Sequence, residues 1–150
     1  MDYLAFIEEA GLNLAVFRGG RLLFSSREEG LRPLLRAVEE LGPSCPRGCV
    51  IADRIVGRAA ALIALLLEPS EVHAIVMSSA ARGILTSRGV RTVARELVEF
   101  ITRPDGRPCP FEEALRGVDK PEEAYELVRR MLSGISRRNR RAHRAPRTGC

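Results

Sequence analysis

The sequence predicts an α/β fold with helices packed on both faces of one sheet, and three observations carry that prediction. "LNLAVFRGGRLLFSS" sets two apolar runs either side of Gly19-Gly20, a β-hairpin signal because glycine accepts the positive φ angles of a tight turn. "EVHAIVMS" reads as a buried strand that runs straight into a short helix, "SAARGILTSRG". "GLRPLLRAVEELG" repeats Leu31, Leu34, Leu35, Val38 and Leu41 at a helical period, between two glycines. Strands that alternate with helices favour a layered α/β sandwich.

Taken in order, Asp2 caps a first helix, Tyr3 to Ala10, that turns Leu4, Phe6 and Ile7 to the core and ends at Gly11. The hairpin and the leucine-rich helix follow, and "PSCPRGC" is a loop. The stretch "CVIADRIVGRAAALIALLLE" is read as a helix that begins at Asp53 and is stopped by Pro69. The strand and helix of residues 71–89 come next. "VRTVARELVEFI" is strand-like through Val90, Thr92, Val93 and Val98, although Leu97, Phe100 and Ile101 also fit a helix. After the turn "TRPDGRP", Pro110 opens a short helix with Glu112 and Glu113 in its first turn, where acids suit the helix dipole. Pro121 opens a last helix with an apolar face of Ala124, Tyr125, Leu127, Val128, Met131 and Leu132.

At 150 residues the chain suits one domain. Its longest apolar run, Ala59 to Leu67, is about half a membrane span. The N-terminal "MDYLAFIEEAG" carries acids instead of the basic-then-apolar pattern of a signal peptide, so a cytoplasmic protein without membrane partners is expected. The net charge of +5 is unevenly placed: residues 1–136 form a body with a net charge of −1, whereas residues 137–150 hold six arginines and no acid. That second segment reads as a disordered arginine-rich tail, with charge enough to contact nucleic-acid phosphates.

Four cysteines raise the question of metal. Cys45 and Cys49 have an unusual C-x3-C spacing, Cys109 and Cys150 lie far off, and only two histidines exist, His73 within a predicted strand and His143 in the tail. Cys45, Cys49 and Cys109 could converge, but a closed zinc site needs four ligands. A Cys45–Cys49 or Cys49–Cys109 disulfide is the alternative. Cys109, just ahead of Pro110 at a helix start, is the candidate reactive thiol. No phosphate-binding glycine motif is present, so no nucleotide cofactor is implied.

"ADRIVGRAAAL" (52–62), "IVMSSAARGIL" (75–85) and "CPFEEA" (109–114), in that order, resemble a prokaryotic family of unknown function within the cytidine deaminase-like superfamily. The likeness runs from about Leu12 to Leu132. It implies a three-layer α/β sandwich whose mixed sheet of about five strands begins with the antiparallel hairpin, and by analogy a homo-oligomer. Zinc deaminases of the superfamily carry His-x-Glu or Cys-x-Glu at one helix start and Pro-Cys-x-x-Cys at another. The matching stretches here are read as residues 51–53 and 78–82, where Ile51 cannot bind zinc and no cysteine occurs between Val50 and Pro108. Zinc-dependent deamination and a resident metal are therefore not expected.

What is expected instead is a nucleotide or other anionic small molecule at paired helix N-termini. Asp53 would cap the first helix, and Arg54, Arg58, Ser78, Ser79 and Glu112 would line the site. Two alternatives stand beside this: a metal-independent enzyme using Cys109 as nucleophile or Asp53 as base, and a nucleic-acid-associated protein acting through the arginine tail.

Overall fold

The computed structural model describes residues 1–42 and 46–142, with side chains through Gly134. Five strands, β1 (Leu14–Arg18), β2 (Arg21–Ser26), β3 (Val50–Val56), β4 (Glu71–Ser78) and β5 (Arg91–Val98), form one mixed sheet in the order β2-β1-β3-β4-β5. β1 pairs antiparallel with β2 and with β3, and β3, β4 and β5 run parallel. Six α-helices accompany the sheet: α1 (Tyr3–Ala10), α2 (Arg32–Leu41), α3 (Arg58–Ala64), α4 (Ser79–Ser87), α5 (Pro110–Ala114) and α6 (Pro121–Ala142).

The hairpin turns at Gly19 and Gly20, both with positive φ (56° and 76°), which is what a two-residue turn between twisted strands demands. The crossovers β3–α3–β4 and β4–α4–β5 step the same way across the sheet. Right-handed connection therefore drops α3 and α4 on the same face. α2, α5 and α6 join them there, over Leu14, Val16, Ile51, Val72, Ala74 and Met77. Among the described residues the opposite face is covered by α1 alone, through Leu4 and Ile7 on Ala15, Phe17, Val50 and Ala52. Tyr3 and Phe6 pack their rings on Phe17 at 5.0 and 5.3 Å. Asp2 Oδ1 accepts the Ala5 N–H at 3.0 Å and caps α1 as the sequence indicates. His73 meets the Tyr3 ring edge-on and shares a 3.1 Å contact with the Glu71 carboxylate.

One element differs from expectation. Residues 50–56 are a strand, not the entry to a helix, and the helix begins only at Arg58 after Gly57. The β-branched residues Val50, Ile51, Ile55 and Val56 favour extended backbone, and β3 is hydrogen-bonded on both sides, by β1 and β4. The apolar run that follows is consumed by burial: every residue of α3 from Ala59 to Ala64 is buried, and its four alanines leave room for neighbouring helices. No helix among the described residues is long and apolar enough to cross a membrane. α6 continues to Ala142, six residues into the arginine segment, and the remainder of that segment, like Cys45, lies outside the described residues.

Candidate functional site

The carboxyl ends of β3, β4 and β5 lie side by side, and each leads into a short connection. β3 passes through Gly57 into α3, β4 through Ser78 into α4, and β5 into Phe100 and Ile101. α5 is laid across these ends. Between them opens a cleft of about 390 Å³, with Ala80, Phe100 and Ile101 on one wall and Arg58, Glu112 and Arg116 among the polar groups. Crevices at the carboxyl ends of parallel strands are the usual ligand sites of open α/β sheets.

Glu112 organises the floor. α3 starts at a glycine and has no side-chain cap of its own. The Glu112 carboxylate supplies one from α5, taking the N–H groups of Arg58 and Ala59 beside the Arg58 guanidinium. Burial outweighs those favourable contacts and pushes the Glu112 carboxyl above the usual carboxylate range. The approach is possible only because residue 57 is glycine. A Cβ there would overlap Glu112 Oε1 and sit 2.9 Å from its Cδ and 3.0 Å from Ile101 Cγ1. Arg58 closes the arrangement by donating from Nε to Leu115 O (2.9 Å) and from Nη2 to Val118 O (2.6 Å), which pins the turn after α5.

Ser78, 1% exposed, caps α4 by accepting the Ala81 N–H at 3.1 Å. Ser79 Oγ donates to Val98 O at 3.3 Å and ties α4 to the end of β5. Both serines are thus committed to the frame, while the next residue, Ala80, lines the cleft.

Asp53 and Arg54 are not a helix mouth. They are consecutive strand residues and point to opposite faces of the sheet. Asp53, opposite Leu14 and Ala74, faces the helix-rich side, where burial raises its carboxyl to about 7 against the N–H groups of Ile55 and Arg54 that favour the charged form. Arg54 faces α1 and donates from Nε to Leu12 O at 2.8 Å. Neither lines the cleft. Cys109 is 1% exposed and disulfide-bonded, so it offers no free thiol. Cys49 is a free, buried cysteine whose thiol is pushed up to about 11 by burial, which rules out the Cys45–Cys49 and Cys49–Cys109 pairings. Among the described residues no group of three or more His, Cys, Asp or Glu is placed to hold a metal ion.

The structure therefore unites Arg58 with Glu112 and adds two residues the sequence did not single out. Phe100 is 71% exposed on the cleft wall, unusual for a phenylalanine. Arg116 has no hydrogen bond or ion pair from its guanidinium among the described residues. The exposed aromatic was legible only as one more residue of an ambiguous strand or helix. A second groove, at the other end of the sheet, holds Arg47, whose Nε lies 3.2 Å from Glu68, and Arg88, which donates to Asp119 O, beside Lys120 and Glu122.

A family model described as a domain of unknown function, DUF1893 (TM1506), matches residues 4–132. The crystal structure of the DUF1893 family protein TM1506 from Thermotoga maritima is similar over 83% of this chain and 84% of that one, with 30% identity and a TM-score of 0.73. No curated protein matches the chain.

Proposed function

This chain belongs to the DUF1893 family, and from that premise we propose that it is a cytidine deaminase-like protein without zinc chemistry, whose cleft binds a small anionic molecule bearing a flat apolar group, a nucleotide being the type ligand. The observation that carries the reading is the meeting of exposed Phe100 and unengaged Arg116 in one cleft at the ends of three parallel strands. An aromatic face stacks on a base whatever its identity, and a guanidinium takes a phosphate or carboxylate bidentately.

The sheet order β2-β1-β3-β4-β5, with its antiparallel first pairs, supports the deaminase-like reading. In that superfamily the metal lies between the helix after the hairpin and the helix after the next strand. Those helices are α2 and α3, so the relevant starts are Leu31-Arg32-Pro33 and Gly57-Arg58-Ala59, one element earlier than residues 51–53 and 78–82. None of these side chains ligates zinc, and the α3 start is already taken by Glu112. The donor set does not fit the metal, and no step is routed through one. Nor does the metal-free chemistry find its groups: Cys109 is in a disulfide and Asp53 stands away from the cleft.

A thermal-shift series with nucleoside mono-, di- and triphosphates tests the proposal. Ligand at 100 times its dissociation constant adds about 2.7 kcal/mol, a rise in Tm of about 5–10 °C for a chain of this size. No shift from any of them at 5 mM, a concentration of order 10⁻³ M that reaches weak sites, contradicts it.

A further inference from the structure

We propose that the outer edge of β5 is an interface with a second copy of this chain, the two strands joining antiparallel about a two-fold axis at Ala94. β5 is the last strand of the sheet, eight residues long, and it pairs with β4 without a register shift. Arg91 donates its N–H to Ser70 O at 3.0 Å, at the head of β4. Backbone groups alternate sides along a strand, so Arg91, Val93, Arg95 and Leu97 bond β4, whereas Thr92, Ala94 and Glu96 turn their N–H and C=O groups away from the sheet. Among the described residues none of those six groups has a hydrogen bond. Such a row is a template for strand addition. Edge strands are ordinarily guarded by charges that lie across them, but here both arginines are drawn back onto their own chain. Arg91 pairs with Glu71 at 3.6 Å, and Arg95 pairs with Glu8 of α1.

The three outward residues are symmetric about Ala94, and this sets the register. With Ala94 opposite Ala94 of the second copy, Thr92 stands opposite Glu96 in both directions, and the three positions exchange about six backbone hydrogen bonds. The Glu96 carboxylate has no hydrogen bond or ion pair among the described residues, and the Thr92 hydroxyl of the second copy is placed to donate to it. Ala94 is exposed and small, which suits the axis. On the other face of the strand, half-buried Val93 and Leu97, 45% exposed, gain cover. Charge favours the antiparallel sense as well. β5 begins with Arg91 and runs toward Glu96 and Glu99, so a reversed second strand sets opposite signs at both ends, whereas a parallel one would set like beside like. The far edge of the sheet is less suited: β2 has six residues, and its pairing with β1 shifts register between Val16 and Phe17. A β5–β5 contact is isologous and closes on itself, joining two five-stranded sheets into one and leaving no free β5 edge.

Sedimentation velocity of the full chain tests this. At about 100 µM, where a dimer of micromolar Kd is largely formed, the species expected has twice the 16.6 kDa of one chain. Ala94→Pro removes an N–H that bonds nothing within the chain, at a place where an edge strand tolerates proline. It should leave a monomer with the circular dichroism of the wild type. Thr92→Glu sets carboxylates against each other on both sides of the axis and should weaken the dimer about fivefold. Adding Glu96→Lys makes those pairs opposite in sign and should restore it. This charge pair decides the matter if the proline variant does not fold. A wild-type chain that is monomeric at that concentration, or a dimer that survives Ala94→Pro, overturns the proposal. So does a Thr92→Glu chain that dimerises as the wild type does, a double variant no tighter than Thr92→Glu alone, or filaments that lengthen with concentration.

Discussion

Glu112 and Gly57 are 55 positions apart, and neither means much alone; together they cap α3 from outside. Gly57→Ala should cost about 1–2 kcal/mol in urea unfolding, because the added methyl expels the Glu112 cap. In a Glu112→Ala background the same substitution should cost less, with a coupling of at least about 0.5 kcal/mol; additive losses would show that the carboxylate does not meet this backbone. Asp53 makes a pH prediction. Its carboxyl is raised to about 7 by burial, so the folded protein holds a proton that the unfolded chain releases near its ordinary value of 3.8. Unfolding between those values releases that proton, and stability falls as pH rises through the window, by at most about 4 kcal/mol. Glu112, also raised, acts in the same direction. Asp53→Asn should flatten most of this decline and leave the protein more stable than wild type at pH 8; an unchanged pH profile would mean that Asp53 is charged at no cost. The sequence made Asp53 and Arg54 conspicuous as a pair, but period-two geometry on β3 sends them to opposite faces. Adjacency in sequence was the wrong guide there, and the contact between residues 57 and 112 had no local signal at all.

Among the elements, those defined by local chemistry were readable: the Asp2 cap of α1, the Gly19-Gly20 hairpin, Pro110 at the start of α5. β3 was not, because Asp53 looks like a helix cap and the alanine-leucine run behind it is helical. What makes residues 50–56 a strand is pairing with β1 and β4, which arrives from distant parts of the chain. β5, ambiguous between strand and helix, is an edge strand with both faces largely open, so no single face imposed a clean alternation. α4 offers a check on how far local propensity still matters. Gly83 lies mid-helix, and a Cβ there would meet nothing within 4 Å. Gly83→Ala should therefore stabilise by about 0.5–1 kcal/mol, raising Tm by about 1–4 °C. A destabilised variant would place an unseen partner against that face of α4.

At the scale of the whole molecule, one sheet carries an uneven burden: α1 covers one face, and everything that builds the cleft lies on or beyond the other. Three parallel strands end together, and α5 folds back over them. The layered α/β class was legible from the alternation of strand and helix. The cleft was only partly so, since Arg58 and Glu112 were chosen for the right neighbourhood, whereas Phe100 and Arg116 depend on the path of residues 99–117. Isothermal titration of the full chain with whichever nucleotide gives the largest thermal shift, repeated on Phe100→Ala and Arg116→Ala, addresses the central claim. The account predicts one site per chain, weakened about tenfold or more by either substitution, with Phe100→Ala losing about 1–3 kcal/mol of stacking. Wild-type affinity in both variants would contradict it.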